Sequence, residues 1–336
     1  MELLDGFRSQ IEQELREIVT KGSTPLLDLD TMLAYHMGFS DQYGNLQDSA
    51  RGKYMRPLFC LAICVGLGGK PDMALPAAAS LELAHRTSLI FDDIQDNGRE
   101  RNKQPTVWAI WGVNQAINAG FALSSYAHLA LHRMRQRGVP SSVILEVWRE
   151  LESAVIGLCQ GQFMDISFMD KYELTVDDYL EMVRGKTGAL FGAACEIGAM
   201  IAPRGRPVAD LARDFGMNMG IAFQIHDDYL GVWGDEALVG KTANDLLERK
   251  RSLPLVLALE QDLKWVKRWL ELEYIGKRSV KGLTAWMERK GIREKVNEIE
   301  ARYIRKARAS LKALSLQKEW HDQFEEVLSF LSERKI

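Results

Sequence analysis

Apolar residues recur along this chain with the 3.6-residue period of helices, and no stretch shows the strict alternation of a half-buried strand. Between residues 2 and 19 they fall at Leu3, Leu4, Phe7, Ile11, Leu15, Ile18 and Val19, a packing stripe that Lys21-Gly-Ser-Thr-Pro ends. A second helix is predicted from Leu26 to Met37, then a loop rich in Gly, Asn, Asp and Ser from Gly38 to Ser49. Leu58 to Gly66 is strongly apolar, Gly68-Gly-Lys-Pro reads as a turn, and the next helix is placed from Pro76. Further helical runs cover Val113 to Arg135 and Ser141 to Met164. Thr175-Val-Asp-Asp can cap another, and Pro203 to Pro207 is a turn before the next. The stretch from Lys264 to Ile336 is charged and helical in pattern, and spacing assigns none of its residues to a site. No internal repeat is present. The pattern predicts an all-α chain, read as one helical domain over residues 1–336.

Two of the apolar runs end in aspartates. In Ser88 to Asp96, read S-L-I-F-D-D-I-Q-D, a helix puts Asp92 and Asp96 on one face with Asp93 turned away by roughly 100°. Like charges at that spacing repel, so the pair calls for a positive partner. Mg²⁺ suits it, being a hard ion held by one or two carboxylates together with substrate phosphates. A solvated acidic helix end is the plain alternative. Against it stands a second copy, Phe223 to Gly231, read F-Q-I-H-D-D-Y-L-G, which delivers Asp227 and Asp228 with Asp235 beyond.

With these two motifs the chain resembles the trans-isoprenyl diphosphate synthases, the polyprenyl synthetase family, in its geranylgeranyl-diphosphate-synthase-like members. The resemblance runs from Arg51 to Pro254. It implies a mostly antiparallel helical bundle of the isoprenoid synthase type around a central cavity, with the aspartate motifs on facing helices. Asp92, Asp96 and Asp227 would hold Mg²⁺ and, with Lys186 and Lys241, do the catalytic work. Lys53 and Arg56, in G-K-x-x-R-P, would bind the diphosphate of isopentenyl diphosphate, with His85 of E-L-x-H on the same side. Arg101, Lys186 and Thr187 match contacts to the allylic diphosphate, and Gln224 is a further substrate-binding candidate. Gln162 and Asp165 match a G-Q-x-x-D segment at the cavity rim, and Lys250 is a weaker diphosphate contact than Lys241. The implied reaction is a 1'-4 condensation of an allylic diphosphate with isopentenyl diphosphate, in a homodimer.

Two departures from the family pattern matter. Asn102 stands where relatives carry a second arginine, so a forked, charged donor becomes a neutral amide and isopentenyl diphosphate loses part of its grip. Five positions before Asp92, where short-chain members carry an aromatic residue, stands Thr87, with Ser88 next and Ala84 a turn deeper. That implies a product of C20 or somewhat longer, with a floor at Thr87 or further along, around Leu81 or Phe121.

Composition narrows the field further. A net charge of -3 and a pI near 6.1 over 336 residues argue against a nucleic-acid binder. No apolar run reaches membrane-spanning length and the start lacks a signal pattern, so a cytoplasmic protein is expected. Cys60, Cys64, Cys159 and Cys195 sit among apolar residues and read as buried, reduced thiols. Glu82-x-x-His85 lacks the second copy a di-iron bundle needs. Arg184-Gly-Lys-Thr-Gly lacks the glycine spacing of a P-loop, and His128 and His132 lack a carboxylate partner for zinc. Three rivals remain: a terpene synthase on the same fold, kept open by Asn102 and by Gly231 where many relatives have an aspartate; a regulatory subunit of a heteromeric synthase; and a structural bundle without chemistry.

Overall fold

The computed structural model describes residues 6–20, 28–47, 52–203, 206–234 and 245–333, and these are almost entirely helical. They form two compact units, one of residues 1–152, 194–209 and 316–320, the other of residues 153–193, 210–315 and 321–336. Among the described residues no helix is long and apolar enough to cross a membrane.

In the first unit, α1 (Arg8–Val19) and α2 (Asp28–Met37) lead to α3 (Met55–Gly66), which is buried on nearly every side from Leu58 to Cys64 because it is apolar all round. The long α4 (Pro71–Gln95) starts five residues earlier than its apolar run suggests. Pro71 occupies the first turn, where a missing N–H costs nothing, and Pro76 forfeits one internal bond without ending the helix. α4 packs on α6 (Val113–His132) through small residues. Ser80 Oγ donates to the Ala127 carbonyl at 2.6 Å, and a Cβ at Gly120 would meet the Phe91 ring at 2.6 Å. α6 ends at His132 and continues as a 3₁₀ turn, Arg133–Arg137, closed by Gly138 at φ +82°. Against the expectation of no strands, Glu100–Arg101 (β1) and Gln104–Pro105 (β2) pair antiparallel just after α4. Asn102 and Lys103 turn the corner with φ of 52° and 62°, the left-handed pair that two-residue hairpins require. Strands this short leave no periodic signal. The short α5 (Val107–Trp111) follows.

The second unit takes the later part of α7 (Ser141–Phe168), then α8 (Val176–Val183), α9 (Ala189–Ile201) as far as Ala193, and α10 (Arg206–Trp233) from Asp210. The predicted cap on α8 is present as a full capping box, with Thr175 Oγ1 accepting from Asp178 N at 3.1 Å and Thr175 N donating to Asp178 Oδ2 at 2.9 Å. Between α8 and α9, Arg184–Gly188 adopts π geometry. The charged tail folds into α11 (Leu253–Gln261), α12 (Leu263–Leu270), α13 (Lys277–Arg289), α14 (Ile292–Leu314) and α15 (Lys318–Glu333).

Two expectations need correction. Cys60, Cys64 and Cys195 are buried, but Cys159 is exposed, because it lies on the outward face of α7. His128 does have a carboxylate partner, Glu152 Oε1 at 2.5 Å, supplied by α7 and invisible to local spacing; the pair is exposed, and among the described residues no third side chain joins it to make a metal site.

Candidate active site

The first aspartate motif closes α4. Asp93 is turned inward and buried, Asp92 is half-buried, and Asp96 is the exposed C-cap. Arg101, presented by the hairpin, bridges two of them: its Nε donates to Asp93 Oδ1 at 2.9 Å and its Nη2 to Asp92 Oδ2 at 3.0 Å. Burial raises the Asp93 carboxyl, and the Arg101 bond and charge pull it back. Burial alone would lower the Arg101 guanidinium, but its bonds to and attraction for both aspartates outweigh that and raise it. The loop is fixed from behind, since the Gly98 carbonyl accepts from both Thr106 Oγ1 and Trp108 Nε1 at 2.8 Å. Asn102 is exposed at the hairpin tip.

The same unit gathers cations below the G-K-x-x-R-P turn. Lys53 is exposed, and Arg56 lies in the first turn of α3 behind Tyr54, whose φ of 47° bends the chain into the helix. Burial lowers Arg56 to about 10, against the pull of Glu82. His85 is held well below its ordinary value by burial and then by Arg56, Arg86 and Arg101, so it is a neutral imidazole. Sequence reasoning passed over two neighbours. Arg86 is buried, and its Nε donates to Glu82 Oε1 at 2.8 Å. His36 Nε2 donates to the Arg86 carbonyl at 2.8 Å and is depressed to about 3, first by burial and then by the Arg86 charge. The Glu82-x-x-x-Arg86 spacing was a visible signal, since a buried i,i+4 ion pair on an apolar face needs a reason.

In the second unit, the two aspartates of the second motif divide their work. Asp228 is buried and accepts from Tyr179 Oη at 2.7 Å, Leu253 N at 2.9 Å and Gln224 Nε2 at 2.9 Å. Burial, then the charge of Asp245, pushes it up to about 7 despite those donors. It thereby ties α10 to α8 and to the start of α11. Asp227, one residue earlier, is half-buried and points elsewhere. Thr187 Oγ1 donates to Gln224 Oε1 at 2.9 Å, so both ends of the Gln224 amide belong to one chain from Thr187 to Tyr179. Lys186 pairs with Asp165 at 2.5 Å. The π segment that carries Lys186 crosses α7 at bare backbone: a Cβ at Gly161 would collide with Lys186 N, and one at Gly185 would meet the Gly157 carbonyl at 2.6 Å. π insertions are frequent at functional sites because they reorient side chains in this way. Lys250 pairs with Glu248 at 3.0 Å, whereas Asp235 and Lys241 lie outside the described residues.

Among the described residues no group of three His, Cys, Asp or Glu side chains could hold a metal unaided. Asp92 and Asp96 in the first unit, and Asp227 in the second, each offer carboxylate oxygens, the ligand type that hard divalent ions prefer.

Three comparisons bear on this arrangement. A model of the polyprenyl synthetase family matches residues 43–282. The chain is similar to a geranylgeranyl diphosphate synthase of Mycobacterium tuberculosis, 36% identical over 258 residues, covering 76% of this chain and 72% of that protein. It is also similar to a geranylfarnesyl diphosphate synthase of Aeropyrum pernix, 40% identical over 215 residues, 63% of this chain and 68% of the other. A crystal structure of a polyprenyl synthetase from Streptomyces coelicolor A3(2) superposes with a TM-score of 0.89 at 32% identity over 98% of both chains.

Proposed function

Since the chain belongs to the polyprenyl synthetase family, we propose that it is a trans-prenyltransferase that condenses an allylic diphosphate with isopentenyl diphosphate and releases a polyprenyl diphosphate of C20 or somewhat longer. The observation that carries this reading is the separation of charge within the first unit. One end of α4 presents Asp92 and Asp96, and the G-K-x-x-R-P turn presents Lys53 and Arg56. Two anionic substrates can be held by such a unit in two ways, one through metal ions and one by direct contact.

In this reading Lys53, Arg56 and neutral His85 bind the diphosphate of isopentenyl diphosphate. Arg101, Lys186 and Thr187 bind that of the allylic substrate, Lys241 is a further diphosphate contact, and Asp92, Asp96 and Asp227 hold Mg²⁺. Mg²⁺, when bound, offsets the charge of the departing diphosphate as the allylic C–O bond breaks. Arg101 keeps Asp92 oriented and limits the repulsion between neighbouring carboxylates. The neutral imidazole of His85 can donate an N–H without adding charge beside Arg56. The product-length positions agree with a long tail: Thr87 Oγ1 donates to the Leu83 carbonyl at 2.9 Å and Ser88 Oγ to the His85 carbonyl at 2.7 Å, so both hydroxyls fold back on α4. Phe121, weighed as a floor, is 67% exposed, which leaves fully buried Leu81 as the better stop.

A homodimer is supported by α7, whose exposed apolar residues Leu145, Trp148, Ile156, Phe163 and Ile166 lie 3, 8, 7 and 3 residues apart, spacings that keep them near one helix face. The test of the activity is diphosphate release by the isolated chain with Mg²⁺. Release that requires both substrates supports condensation. Release from the allylic diphosphate alone favours the terpene synthase, and no release with either favours the regulatory subunit.

A further inference from the structure

Arg86 is a buried guanidinium that the functional reading above leaves unused. It lies on α4, 8% exposed, between the E-L-x-H segment and the first aspartate motif. Its Nε is bonded to Glu82, and its Nη2 reaches the backbone of the G-K-x-x-R-P turn so closely that a Cβ at Gly52 would collide with it. The far end of Arg86 therefore lies directly against that turn. Guanidinium groups are concentrated at this point. Arg56 and Arg86 repel each other, Arg56 is lowered by burial and by Arg86, and the carboxylate drawing on Arg56 is the same Glu82 that Arg86 already holds. Both flanking imidazoles, His36 and His85, are kept neutral, so protonation adds nothing to the cluster while its guanidinium groups remain charged. Neighbouring guanidinium groups that repel each other are stabilised by a multivalent anion, and guanidinium forks match phosphoryl oxygens.

We propose that Arg86 is a third cation of the site beneath the G-K-x-x-R-P turn, binding the diphosphate of isopentenyl diphosphate together with Lys53 and Arg56 and standing in for the guanidinium absent at position 102. The proposal rests on the functional reading above. It explains how the chain can carry Asn102, which fits the left-handed hairpin corner at φ 52° better than most side chains, without losing its homoallylic substrate.

The competing role for Arg86 is to neutralise buried Glu82 and nothing more. The double variant Arg86→Gln with Glu82→Gln separates the two, because it replaces the ion pair by a neutral amide pair and leaves no buried charge behind. Binding of isopentenyl diphosphate alone is measured by calorimetry, with farnesyl diphosphate and Mg²⁺ as the control ligand. The expected result is a loss of roughly tenfold to a hundredfold for isopentenyl diphosphate with the control unchanged, and recovery when Asn102→Arg is added. Wild-type affinity in the double variant, or an equal loss for both ligands, overturns the assignment and leaves Arg86 a structural residue. A wild-type protein that fails to bind isopentenyl diphosphate at all overturns the functional reading instead.

Discussion

Adjacent aspartates in the second motif do different jobs, and single substitutions separate them. Asp227→Ala, like Asp92→Ala, is expected to abolish turnover while the melting temperature barely moves. Asp92 gives up a partly exposed contact with Arg101, a kind of pair worth about 0–1 kcal/mol. Asp228→Ala removes the acceptor of two buried donors and one half-buried donor and is expected to lower stability by about 2 kcal/mol, measured by urea unfolding. A second residue-level expectation concerns acid. His36 titrates near 6.5 when unfolded and near 3 when folded, so between those values the unfolded chain binds the extra proton. Stability present above pH 6.5 is therefore lost as pH falls toward 3, and the fall is shallower in His36→Gln; unfolding midpoints across that range read the difference. The D-D-x-x-D spacing singled out Asp92 as a candidate site residue. Nothing in the sequence distinguished Asp228 from Asp227 beyond the rotation of one helical residue, because the difference lies in Tyr179 and Leu253, each on another element.

At the scale of elements, apolar periodicity located the helices well and failed where tertiary contact decides. The π segment exists because Gly157 and Gly161 bring α7 against it, and the hairpin exists because two residues accept positive φ. The tail looked featureless, yet α14 carries Glu300 in a core register between Val296 and Tyr303. There Glu300 Oε1 meets His226 Nδ1 at 2.9 Å, next to Asp227, while Arg293 donates to Tyr229 Oη at 2.8 and 2.6 Å. A buried acid on an apolar stripe was the signal to find it. Glu300→Leu is expected to destabilise the second unit by roughly 1–3 kcal/mol, measured by thermal unfolding. On α4, Thr87→Phe adds a ring on the face five residues before Asp92 and is expected to shorten the product; chromatography of the dephosphorylated alcohols reads it, and an unchanged length puts the floor at Leu81.

For the molecule as a whole, the exposed apolar face of α7 predicts self-association. Phe163, at 72% the most exposed of its apolar residues, is expected on substitution by Glu to convert a dimer to a monomer in light scattering. The charge of the entire chain, -3, argues against a general attraction for anions, so the proposed function needs local sets of cations, and we propose those at Lys53, Arg56 and Arg101 and at Lys186. The most direct test of that account follows carbon. Wild-type protein is incubated with Mg²⁺, farnesyl diphosphate and isotopically labelled isopentenyl diphosphate, and the products are resolved by mass. A prenyl diphosphate of C20 or longer, with every added five-carbon unit labelled, is the predicted result; an unlabelled hydrocarbon or alcohol formed from farnesyl diphosphate alone would contradict it.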